Sequence, residues 1–90
     1  MGMLVIHHKV KDFGAWKPLY DKHEGVRKAA GLTKAHVLQS VDDPNDVTVV
    51  MDFSDANKAK AFSASPDLRD VMKLAGVLGT PAIHILKKVT

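Results

Sequence analysis

The order in which apolar periodicity changes along the chain constrains its fold more than any other feature. Met3 to Val10 is rich in β-branched and aliphatic residues and predicts a first strand. Leu4, Ile6, His8 and Val10 share one side of it, and Met3, Val5, His7 and Lys9 the other. Its start is apolar on both sides, as in a strand that is covered twice. From Phe13 to Ala30 the spacing becomes helical through Phe13, Trp16, Leu19, Tyr20, His23, Val26 and Ala30. Asp12 is the expected N-cap and Gly31 the stop. Pro18 interrupts this stretch, so either the main helix starts there or it bends there.

Period two returns from Thr33 to Val41 and again from Val47 to Phe53. Between them Asp42-Asp43-Pro44-Asn45-Asp46 is dense in turn formers and predicts a hairpin. Ser54 is the expected cap of a second helical region, which Ser65 and Pro66 restart and Gly76 ends. Its apolar stripe is Leu68, Val71, Met72 and Ala75, while Arg69 and Asp70 belong on a solvated face. Pro81 to Val89 predicts the last strand.

The order is β-α-β-β-α-β in a chain of 90 residues, enough for a single ferredoxin-like α+β domain over residues 1–90. Right-handed crossovers place both helical regions on one face of a four-stranded antiparallel sheet. Met3, Val5 and Val50 are then candidates for the uncovered face, and an apolar uncovered sheet is an interaction surface. A twofold homodimer that buries sheet against sheet is the simplest expectation.

Composition removes several classes of function. Hydrophobic content of 46% and charged content of 26% are those of globular chains. The longest apolar runs fall far short of the roughly 20 residues of a bilayer helix, so no membrane is expected. MGMLVIHHKV has no basic segment ahead of an apolar one, and position 6 is Ile, so neither a secretory signal nor myristoylation is expected. The absence of cysteine excludes disulfides, thiolate catalysis and Cys-type zinc sites, and a cytoplasmic location is the expectation. The formal charge is +3, but the lysines are scattered among acids rather than gathered in a stripe, so nucleic acid is not expected. No glycine-rich phosphate loop opens a helix, because Gly76-Val77-Leu78-Gly79 follows one.

Five histidines remain as candidate bases. His23 lies in the helical stripe and His8 on the strand side that should meet it, so both are catalytic candidates. The competing reading makes them core histidines satisfied by each other or by the backbone. Phe13, Trp16, Tyr20, Arg27 and Phe53 are candidate substrate-binding residues: four aromatic rings for an apolar wall and one guanidinium for a carboxylate. His7 points away from His8, toward the uncovered face, and the facing of His36 and His84 is open by one register step. No HxH or HxxxH spacing occurs, and neither metal nor cofactor is expected.

The runs HKVKDFGAWK, DDPNDVTVVMDFSD, AKAFSASPDLRDVMKLAGV and PAIHILKKV together resemble the dimeric α/β-barrel superfamily. More narrowly, the chain resembles small bacterial proteins near its antibiotic-biosynthesis monooxygenase-like branch. The resemblance covers nearly the whole chain. It implies a homodimer whose two sheets form the barrel, with a pocket in each subunit between sheet and helices. The superfamily includes cofactor-independent monooxygenases, haem-degrading enzymes, polyketide cyclases, lactone isomerases and ligand-sensing domains, and fold does not choose among them. The Asn, Trp and His set of the haem-degrading members has no match: Trp16 begins a helix and Asn45 sits in a hairpin turn. The first expectation is thus a cofactor-independent monooxygenase, or a cyclase or isomerase, in which His8 or His23 deprotonates an aromatic or polyketide-like substrate. The alternatives are a dimer that binds a hydrophobic metabolite without turnover, and a purely structural dimer. A cavity below about 100 Å³ favours the structural dimer, since drug-sized ligands occupy pockets of roughly 300–1,000 Å³.

Overall fold

The computed structural model describes residues 2–89, except the side chain at position 67. Its elements run β1 (Gly2–Val10), α1 (Phe13–Lys22), α2 (Glu24–Ala29), β2 (Leu32–Gln39), β3 (Asp46–Phe53), α3 (Ala56–Ser63), α4 (Pro66–Leu74) and β4 (Val77–Leu86). The sheet order is β2-β3-β1-β4 with every neighbouring pair antiparallel, which is the ferredoxin-like arrangement. Among the described residues no helix is long and apolar enough to cross a membrane.

Alternation assigns the two sheet faces. Leu4, Ile6, His8 and Val10 of β1 are buried with Val47, Val49, Met51 and Phe53 of β3, beneath the helices. The cross-strand register carries the other face outward as rows. His36, Val50, Val5 and His84 form one row, and Leu38, Thr48, His7 and Ala82 the next. Both histidines whose facing was open therefore lie on the uncovered face. His7 joins them there, its Nε2 donating to Asp46 Oδ1 at 2.5 Å.

The local chemistry departs from the sequence reading at four places. The helical stretch breaks at His23, not at Pro18, which sits inside α1. Tyr20's carbonyl accepts the His23 N–H at 3.1 Å and Arg27 Nη1–H at 2.7 Å, so the α1 terminus is capped by a side chain from α2. The break turns the stripe by one position. Arg27 points inward at 6% exposure and Val26 outward at 45%.

The cap of α3 is Asp55 rather than Ser54, because the Asp55 carboxylate accepts Asn57 N–H at 2.8 Å. β2 ends at Gln39, two residues before Val41. β4 starts at Val77, four residues before Pro81. Val77 and Leu78 pair with Val10 and Lys9, and an irregularity then shifts the register, with Gly79 at φ 67°. Pro81 is tolerated because β4 is an edge strand.

Asn45 fixes the hairpin against the site. Its N–H donates to Asp43 Oδ1, its Oδ1 accepts Phe13 N–H at 2.8 Å, and its carbonyl accepts Val10 N–H at 2.8 Å. The β2–β3 turn thereby sets where α1 leaves β1.

Candidate functional site

Between the helix-covered sheet face and the helices lies a cavity of about 40 Å³. Ile6, His8, Val49 and Met51 form its floor, α1 and α2 supply Trp16, Tyr20 and Arg27, and α3 and α4 close it with Phe62 and Met72. His23, at the α1–α2 junction, completes the lining.

Three ring contacts run along one wall. The His8 imidazole meets Trp16 edge-on at 5.6 Å between centroids. Trp16 stacks on Tyr20 at 5.0 Å and 11°. The Arg27 guanidinium lies 3.7 Å above the Tyr20 ring, a cation–π contact. Trp16 and Tyr20 are four residues apart on α1, which places them on one helix face. His8 reaches the same wall because strand alternation turns it to the helix side.

Burial sets the electrostatics. The His8 imidazole is held below its ordinary range chiefly by desolvation and further by His7, against the opposing influence of its own backbone and of Asp46. Burial pushes the Tyr20 phenol up, with Arg27 pulling it back. Burial also lowers Arg27, against Tyr20, Glu24 and Asp21, although a guanidinium still keeps its proton at neutral pH. Two buried side-chain atoms have no hydrogen-bond partner among the described residues: His8 Nδ1 and Arg27 Nε. Both residues line this cavity.

The structure thus gathers five of the seven candidates: His8, Trp16, Tyr20, His23 and Arg27. It does not bring Phe13 or Phe53 to the cavity wall. Phe13 packs on the outer side of Trp16, with ring centroids 5.7 Å apart. Phe53 is fully buried against Phe62 at the far end of β3, paired with Gly2. Met51, Phe62 and Met72 were missed as lining residues, although Met51 and Met72 lie on apolar stripes that the spacing showed; Phe62, on α3, belonged to no stripe read from the sequence.

One consequence is a pH dependence of stability. His8 is depressed in the folded chain and ordinary when unfolded, so the unfolded chain takes the proton first. Stability due to His8 is complete above about pH 6.5 and is lost as pH falls from there toward the depressed value. Urea unfolding followed across this range should show that loss in the native chain, and His8→Gln should flatten it.

No family model and no curated protein matches the chain. Solved structures do. One described as an antibiotic biosynthesis monooxygenase aligns over 100% of both chains at 15% identity and a TM-score of 0.76. SnoaB, a cofactor-independent oxygenase from Streptomyces nogalater, aligns over 99% of this chain and 93% of its own, at 12% identity and a TM-score of 0.79. A conserved protein from Methanosarcina mazei aligns over 98% and 93%, at 18% identity and a TM-score of 0.75. At these identities the likeness is one of fold.

Proposed function

We propose that this protein binds a small aromatic or polyketide-like molecule between sheet and helices and oxygenates it without a cofactor, with His8 as the base. The observation that carries this reading is the buried His8 imidazole, which lines an aromatic-walled cavity and whose Nδ1 has no partner among the described residues. Desolvation favours its neutral form, which is the form that accepts a proton. Removing a proton from a phenol or an activated CH₂ leaves an electron-rich anion that can reduce dioxygen directly. Overall, the substrate loses two hydrogens, one oxygen atom becomes its new carbonyl, and the other leaves as water. Without oxygen, the same anion would rearrange, as in an isomerase or cyclase.

The uncovered sheet face supports a homodimer as the working form. Met3, Val5 and Val50 occupy its middle, and Leu38 and Leu86 flank them at 51% and 47% exposure.

The cavity volume favours a second reading. About 40 Å³ holds a water or two, not an aromatic ring, unless side chains move. Met51 and Met72 are pliable walls, yet a filled core would look the same. The purified chain, incubated with anthrones, naphthols and 1,3-diketones in an oxygen electrode, separates the cases. Oxygen uptake that requires the protein supports the oxygenase. Binding by NMR titration without uptake or rearrangement reassigns the chain as a binding module, and neither response leaves a structural dimer.

A further inference from the structure

Arg27 is nine-tenths buried, yet no carboxylate among the described residues lies within ion-pair distance of it. A buried charge normally has a counter-charge, because desolvating it alone is strongly unfavourable. Its neighbours on the helix pair are already matched: Lys17 with Asp21 at 2.7 Å, and Lys28 with Glu24 at 3.1 Å. Of its own donors, Nη1 is committed to the Tyr20 carbonyl and the guanidinium face to the Tyr20 ring. Its buried Nε–H has no hydrogen-bond partner among the described residues, and Arg27 lines the cavity together with His8, whose Nδ1 is likewise unpartnered.

We infer that the ligand of this cavity is a small organic acid bound as its anion, with an oxygen accepting the Arg27 Nε–H. This rests on the reading of the cavity as a ligand site. The anion is the direct ion-pair partner that Arg27 lacks, since Glu24 and Asp21 act on it only from beyond ion-pair distance, and the stacked Trp16 and Tyr20 rings give its carbon skeleton an apolar face. Tyr20 and Arg27 also form the inner wall of an open groove of about 410 Å³ between α1, α2 and the edge of β2. A shift of this ring-and-guanidinium pair would join the groove to the cavity, giving an acid room and a route.

The chain has two arginines, Arg27 and Arg69, and Arg69 is exposed. A ¹H–¹⁵N spectrum of the arginine Nε–H groups in the full chain therefore has an internal control. Acetate, benzoate and salicylate are titrated at millimolar concentration against acetamide, benzamide and salicylamide. At least one acid should move the Arg27 signal saturably without moving that of Arg69, and its amide should not. Arg27→Gln should weaken binding of that acid by roughly ten- to a hundredfold, the usual loss of a hydrogen bond to a charged partner. An Arg27 signal that no acid moves, or that amides move equally, overturns the inference, and neither result needs a variant that folds. Acid binding that survives in a chain with no turnover would sink the oxygenase reading alone.

Discussion

His8→Gln is expected to reduce turnover of a phenolic or enolic substrate by about 10²–10⁴-fold, the range of one positioned base. Glutamine keeps a polar group of similar reach but cannot take the proton. The loss should fall on kcat, with KM nearly unchanged, because the wall that holds the substrate is formed by Trp16 and Tyr20. His23→Gln is the informative partner. His23 lines the same cavity but sits at the α1–α2 junction, only half-buried, where its backbone N–H helps to close α1. Its replacement should change turnover by much less. A larger loss in His23→Gln than in His8→Gln would transfer the role of base to the helix junction. Equal, small losses in both would remove histidine catalysis altogether.

Which parts of this site could be read from the chain follows from how each is specified. Strand alternation is a local property, so the buried side of β1 and the inward turn of His8 were legible. So was the Trp16–Tyr20 pair, since spacing of four places two side chains on one helix face. The position of Arg27 was only half legible. Its proximity to the cavity follows from helical spacing, but its burial follows from the break at His23, where the guanidinium takes over a carbonyl that a continuous helix would have used itself. Sequence periodicity does not record such a cap. The histidines at 36 and 84 were undecidable for a different reason. β2 and β4 are edge strands with mixed faces, and only pairing to β3 and β1 fixes their register. Phe53 illustrates the opposite error. Its type suited a pocket wall, but its place at the end of β3, against Gly2 and Phe62, makes it core.

The other large effect concerns the uncovered face. Val50→Arg is expected to leave a folded chain that no longer dimerises. Val50 lies on a central strand, flanked by His36 and Val5 in its row, on the side that the helices do not cover. In an isolated subunit this side meets water, so an arginine there is a surface substitution, within about 0.5 kcal/mol in stability. In a sheet-to-sheet dimer the same arginine is buried twice, once per subunit, without a counter-charge. An unpaired buried charge costs several kcal/mol, so the dimer constant should weaken by roughly 10³-fold or more. Val49→Arg, one residue away on the helix side, is the contrast: Val49 is buried beneath the helices, and its replacement should unfold the chain. Sedimentation equilibrium over micromolar concentrations measures the first effect, and circular dichroism the second. A native chain that sediments as a monomer throughout, or a Val50→Arg chain that still pairs, would show that this sheet face is not where two copies meet.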